Sequence, residues 1–254
     1  MKKWLVALGA LVILLAAGVV ILLFSLNSIV EKAVNTEGPK ITDTAVHLDK
    51  ADISLFSGQG IFSGFTVGNP EGFGGGHAAS VGSILVDIDT STLLNDTIVV
   101  RKVNVDRPEL VYELARDTSN FDVLLQNIRR YADGGEKKAA ASSGNGGAQK
   151  EESKKKVIID ELVIRNARAA LSVPELKFSV AVPLPEIRMK NIGRESSGIT
   201  YAQTAALVMT EVSRTLAQTA REQTKDIGSA LLKDGEKAGD KAKNLLKEGL
   251  KLFR

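Results

Sequence analysis

Apolar and polar residues alternate in short runs along the chain from about Ile53 to Leu114. In the run from Ile84 to Ile88, the aliphatic residues at even positions fall on one side of a strand, and Leu85 falls on the other. A period of two that is bounded by turn residues predicts β-strands with one face in an apolar environment. The pattern places the following residues on apolar strand faces: Ile84, Val86, Ile88, Ile98, Val100, Val103, Val105, Leu110 and Tyr112.

A second set of strands is predicted after a segment without periodicity. Residues 133–156 are rich in Gly, Ser, Ala, Lys and Glu, which is typical of a disordered linker. Residues 157–192 alternate again, and we expect them to continue the same sheet. Proline lacks a backbone N–H, so the prolines of this stretch predict edge strands or strand ends. They are Pro174, Pro183 and Pro185.

Two stretches have the period of an amphipathic helix. Capping residues precede an apolar stripe from Phe121 to Tyr131. A second stripe begins after Thr200 and runs to Leu216, followed by a lysine-rich continuation. A basic amphipathic helix is typical of a membrane surface or a partner site, although its glycines also suit a mostly solvated helix. The residues assigned to this surface are Lys233, Lys237, Lys241, Leu245, Leu246 and Phe253.

The N-terminal region predicts a membrane anchor. Lys2 and Lys3 precede an uncharged run from Trp4 to Leu26, which exceeds the about 20 apolar residues that span a bilayer. A cleavable signal peptide usually has a shorter apolar region. We expect a single-pass anchor with a cytoplasmic N-terminus, and a helix that continues until Gly38-Pro39. The residues chosen to represent the anchor are Trp4, Leu5, Leu14, Leu22 and Leu26.

Composition narrows the chemistry that this chain can perform. The net charge of +3 and the 5% of aromatic residues argue against nucleic-acid binding, and the absence of cysteine excludes disulfides and thiolate metal sites. Asp87 and Asp89 point the same way on a strand, but two carboxylates are too few for a calcium site. We therefore predict no catalytic residues, no metal and no cofactor.

The order of the motifs resembles a known family. A glycine-rich string from Gly60 to Phe73 precedes the strand at 84–88 and the segment from Asp96 to Glu113. With the uncharged run upstream, this order closely resembles the opening of the AsmA-like family. The resemblance implies a periplasm-facing protein of the Gram-negative inner membrane with a curved, apolar-lined sheet. It also implies a role in phospholipid transport or outer-membrane homeostasis. The chain carries fewer strands than large members do.

These observations combine into one expected architecture of class α+β. We expect a single N-terminal transmembrane helix within 1–34, a β-module with a short helix at 41–132, the linker at 133–156, the second strand set at 157–192 and C-terminal amphipathic helices at 200–253. The sheet is expected to be antiparallel and curved into a groove.

Two functions remain open at this point. In the first, the groove holds phospholipid acyl chains. In the alternative, the chain is a structural or assembly factor of the envelope that binds no lipid, because its own helices or a partner cover the sheet. Contact with another copy or with a larger envelope protein, through strand edges or helices, is compatible with either function.

Overall fold

The computed structural model describes residues 26–115, 118–135, 155–174 and 178–233. Within these ranges, no helix combines the length and hydropathy needed to cross a bilayer. The expected anchor lies outside the described residues except for Leu26, as do nearly all of the linker and the basic end of the C-terminal helix. The predicted residues that lie outside are Trp4, Leu5, Leu14, Leu22, Lys237, Lys241, Leu245, Leu246 and Phe253, together with the side chain of Lys233.

The described chain contains eleven strands and three helices. The strands are β1 Val46–His47, β2 Lys50–Ser54, β3 Gln59–Gly68, β4 His77–Ile88, β5 Thr97–Asp106, β6 Glu109–Ala115, β7 Thr118–Ser119, β8 Lys156–Arg165, β9 Arg168–Val173, β10 Phe178–Pro183 and β11 Ile187–Ile192. The helices are α1 (26–42), α2 Asn120–Arg130 and α3 Tyr201–Lys233. A 3₁₀ turn, Thr90–Thr92, follows β4, and a π-helical turn, Tyr131–Gly135, follows α2.

All eleven strands belong to one sheet, which curls strongly into a half-barrel. Strand β4 is its branch point, because β3 pairs along one edge while β5 and β6 share the other. From β5 the sheet continues through β8 to β11, and from β6 it continues through β9 to β10. Beyond β4 the sheet therefore has two arms, the first through β5, β8 and β11 and the second through β6, β9 and β10. Strand β11 ends the first arm and β10 ends the second, and a short connection that contains Pro185 joins these two strands.

The sheet is mixed rather than antiparallel as predicted. Strand β8 runs parallel to β5, and β9 runs parallel to β6. Parallel neighbours need a crossover connection, which the chain supplies between β6 and β8 by way of α2 and the segment after it. The alternating pattern of each strand contains no information about the direction of its neighbour.

The two parallel pairs meet at stacked corners. Strand β5 turns into β6 at Arg107, and β8 turns into β9 at Asn166; both residues have positive φ angles. The Arg107 N–H donates to the Arg165 carbonyl at 2.9 Å, and the Asn166 amide donates to the Asp106 carboxylate at 2.8 Å. The Asn166 hydrogen bond, assisted by the charge of Arg165, lowers the pKa of Asp106. The β8–β9 corner is thus held in register on the β5–β6 corner.

Helix α1 continues past the point where Gly38-Pro39 was expected to end it. It runs to residue 42, and the Asp43 N–H still donates to the Pro39 carbonyl at 2.9 Å. Gly38 faces Val46 so closely that an added Cβ would lie 2.7 Å from a Val46 methyl group. Close packing of α1 on β1 at this point therefore requires the glycine.

Polar side chains of α1 occupy the free edge of β2. The three residues are spaced four apart along the helix, so they lie on one face. Each accepts a hydrogen bond from a backbone N–H of the edge, at 2.7–2.9 Å. The pairs are Asn27 with Ile53, Glu31 with Ala51 and Asn35 with Leu48. Helix α1 therefore takes the place of a neighbouring strand and shields the edge from further pairing.

Removing one of these contacts should loosen the edge. Asn35 also donates to the Leu48 carbonyl at 3.1 Å, so Asn35→Ala leaves both backbone groups of Leu48 without their partner. We expect a loss of about 1–3 kcal/mol in the free energy of unfolding and faster hydrogen exchange at the Leu48 amide. Thr36→Ala, on an exposed position of the same helix, is the control. Unchanged exchange at Leu48 would contradict this role of Asn35.

Helices α2 and α3 lie within the half-barrel. Ser119 and Asp122 form a capping box at the start of α2, as its sequence predicted. Phe121 and Leu124 are almost completely buried and belong to the main apolar cluster. The apolar stripe of α3 joins the same cluster through Val212, Leu216 and Ala220. One continuous core therefore links the sheet to both helices.

Candidate functional site

The inner face of the first arm consists of apolar rows that cross the strands. Register places Ile84 beside Val105 and Val86 beside Val103, and the rows continue into β3 on one side and β8 on the other. One row is Ala51, Phe62, Ile84, Val105, Ile164 and Ile187. The next row is Ile53, Gly60, Val86, Val103, Leu162 and Met189. The sequence pattern thus places its candidates on a continuous apolar surface.

Helix α3 covers one half of this surface. It contacts β8 and β11, where Leu162, Ile164 and Ile187 are buried. In the other half, across β2 to β5, Ala51 is buried but the larger apolar side chains are only partly buried. We call this half the open strip and define it by Ile53, Phe62, Ile84, Val86 and Ile98.

The predicted groove residues divide between these environments. Ile84, Val86 and Ile98 belong to the open strip. Val86 also packs against the core, as do Ile88, Val103 and Val105 along the border of the strip. Three candidates are fully buried instead: Val100, Leu110 and Tyr112.

Tyr112 belongs to the second arm, beneath α2. Its ring lies 6.1 Å from that of Phe121, and burial raises the pKa of its phenol. Leu110 and Tyr112 therefore form ordinary core rather than groove lining. The strip is narrower than the sequence predicted, because α2 and α3 occupy the remainder.

The opposite face of the sheet is mainly polar, although the paired side chains of Ile61 and Leu85 are exposed on it. Asp87 and Asp89 lie 3.8 and 4.0 Å from the Arg101 guanidinium, which provides their positive neighbour. Hydrogen bonds from Ser91 lower the pKa of Asp89. In the part of the chain that the structure describes, no group of three or more His, Cys, Asp or Glu residues could hold a metal ion. The outer face thus has the character of a solvated surface.

Charged rows extend across this outer face. The Glu161 carboxylate lies 3.3 Å from the Lys102 ammonium group and also forms an ion pair with Arg188. These two partners lower the pKa of Glu161. Arg188 in turn contacts Glu186 at 2.8 Å. The sheet is therefore two-faced, with ion pairs on one side and aliphatic side chains on the other.

Two features of the site were not predicted. The first is that Ile53 and Phe62 complete the open strip. The only sign of this in the sequence was the alternating pattern of the segments around Gly60. The second is that β4 begins earlier than expected. Its first residues were not predicted as strand because Ser80, Gly82 and Ser83 interrupt the apolar pattern.

No protein-family model and no curated protein sequence matches this chain. The AsmA-like resemblance therefore stays a prediction that rests on the motifs themselves.

Proposed function

We propose that this protein is an inner-membrane-anchored, periplasm-facing protein of the AsmA-like type that handles phospholipid. The open strip shields acyl chains while headgroups remain in water. The observation that supports this proposal best is the partial exposure of five large or branched apolar side chains in one continuous surface. Covering apolar surface contributes about 25 cal/mol per Å².

The geometry of the strip suits a chain-shaped ligand. It crosses four strands that are spaced about 4.8 Å apart, so it is long enough for several methylene groups and lies between α1 and α3. The outer face, with its ion pairs, offers no comparable surface. Lipid handling by this site would be passive, because it needs only a surface that replaces water around the acyl chain.

A charge within the strip should expel the lipid. We expect Ile84→Asp to abolish most photocrosslinking between phospholipid and a photoreactive residue at position 86, measured by mass spectrometry after irradiation of cells. An aspartate against an acyl chain costs on the order of 3 kcal/mol.

Leu85 supplies a matched control for this experiment. It is the next residue of the same strand, it points to the outer face, and 47% of its surface is exposed. Leu85→Asp should leave the lipid adduct unchanged. Equal adduct yields in both variants, or no adduct in the unsubstituted chain, would contradict the proposal.

The burial of α3 supports a second candidate function. Leu216 and Ala220 are fully buried against the core, so part of the expected groove is filled by the protein itself. Under this alternative the chain is a structural or assembly factor of the envelope and binds no lipid. Absence of any lipid adduct at position 86, together with a cooperatively folded chain, is the result that it predicts.

A further inference from the structure

One end of the first arm gathers four connecting segments. The β2–β3 turn lies there, because Ser54 pairs with Gln59 and Gln59 pairs with Asp87. The β4–β5 loop follows directly after Ile88. Its neighbour is the start of β8, where the Lys156 N–H donates to the Asp96 carbonyl at 2.8 Å.

The segment that leads into α3 reaches the same end. The Thr97 hydroxyl donates to the Ser197 carbonyl at 3.1 Å, and Ile199 pairs with Val157. Tyr201 then begins α3, which runs away from this end towards α2, where Arg129 contacts Thr210 at 3.1 Å.

Helix α1 also begins at this end. Asn27 accepts a hydrogen bond from the Ile53 N–H at 2.9 Å, whereas Asn35 bonds Leu48 further along the edge. The described part of α1 starts at residue 26, where the uncharged run from Trp4 ends. The contacts of Asn27, Glu31 and Asn35 therefore fix the sheet to the helix that leads out of this run.

Large apolar side chains protrude from the same loops. Phe56, in the β2–β3 turn, and Leu94, in the β4–β5 loop, have relative exposures of 106% and 96%. Tyr201 and Ile29 are 55% exposed. We call Phe56, Leu94 and Tyr201 the tip surface. Phe56 and Leu94 come from two separate loops, Tyr201 is the first residue of α3, and none of the three belongs to the apolar core cluster.

Charges at this end carry both signs. Lys155 donates to the Leu93 carbonyl at 2.7 Å and Lys156 is exposed, but Asp96 and Glu195 are exposed in the same loops. The end is therefore not a cationic patch. Its distinguishing feature is the protruding apolar and aromatic side chains, which are typical of the boundary between headgroups and acyl chains.

We propose that the tip surface lies in the interface of the bilayer that holds the anchor. The proposal rests on the proposed function, because it needs the uncharged N-terminal run to be a membrane anchor. The open strip ends at this surface, since Ile53 adjoins the β2–β3 turn and Ile98 adjoins the β4–β5 loop. An acyl chain would then pass from the bilayer into the strip without crossing water.

Single-cysteine labelling of the full chain tests the proposal. The chain has no native cysteine, so each introduced thiol is unique. We would label Phe56→Cys and Leu94→Cys with an environment-sensitive fluorophore and reconstitute the protein in zwitterionic phospholipid vesicles. Arg107→Cys, at an exposed corner on the far end of β5, is the matched control.

The expected result is a blue-shifted emission at positions 56 and 94 that nitroxide-labelled phospholipid quenches and that high salt does not change. The probe at position 107 should remain water-like. Water-like emission at 56 and 94 in a chain that is embedded in the vesicles would overturn the tip proposal alone. A chain that does not associate with the vesicles would overturn the prediction of a membrane anchor as well. Lipid adducts at position 86 report on the strip separately.

Discussion

Leu216→Ala is expected to lower the free energy of unfolding by about 2–5 kcal/mol. Leu216 has no exposed surface and belongs to the cluster that joins α3 to the sheet. Removing its side chain leaves a cavity at the contact between the helix and the half-barrel, where neither element can relax freely. Urea denaturation of the variant, followed by circular dichroism, measures the effect.

A control for this substitution lies on the same helix. Leu207 is 46% exposed, so Leu207→Ala should change the free energy of unfolding by less than about 1 kcal/mol. If both variants unfold at the same denaturant concentration as the unsubstituted protein, α3 is not packed on the sheet in solution, and a wider groove is available.

Asn120→Ala is the second substitution with a large expected effect. Asn120 is fully buried, and its side-chain oxygen accepts hydrogen bonds from the backbone N–H groups of Glu113 and Phe121, both at 3.0 Å. Its amide donates to Asn69 at 2.7 Å and to the Val111 carbonyl at 2.6 Å. The side chain thus joins β6, the start of α2 and the loop after β3.

Alanine at this position leaves several buried polar groups without partners. Each such group costs about 1–3 kcal/mol, so we expect a loss of roughly 3–5 kcal/mol and a lower midpoint of thermal unfolding. Asn95→Ala, in the exposed β4–β5 loop, is the control and should be nearly neutral. A loss below about 1 kcal/mol for Asn120→Ala would mean that water replaces these hydrogen bonds.

The elements with a strong period were predictable from the sequence. The α2 boundaries follow from the Ser119 cap and the apolar spacing after it, and the strands from Ile84 to Leu114 follow from alternation. The first half of β4 was not, because it depends on pairing with β3 rather than on its own residues. The continuation of α1 past Pro39 was not predictable either; at this point the helix packs on β1, where Gly38 faces Val46.

The candidate site was predictable by type but not by extent. Alternation identifies Ile84 and Val86 as one face, and register confirms that they adjoin Val105 and Val103. It cannot tell which of these faces a helix will cover, since Leu110 and Val86 have the same local pattern. Coverage depends on α2, which packs on β6, and on α3, which contacts β8 and β11.

The polar stripe of α1 sets a limit on the strand that it accompanies. Successive contacts on the helix are four residues apart, or about 6 Å, whereas two residues of a strand advance about 6.6 Å. The two spacings differ by about 0.6 Å at each step, so the side chains of the helix and the N–H groups of the strand lose register along the edge. The third contact spans three residues, from Ala51 to Leu48, and Leu48 lies two residues before the start of β2. A helix can therefore take the place of a strand along a short edge such as the five residues of β2.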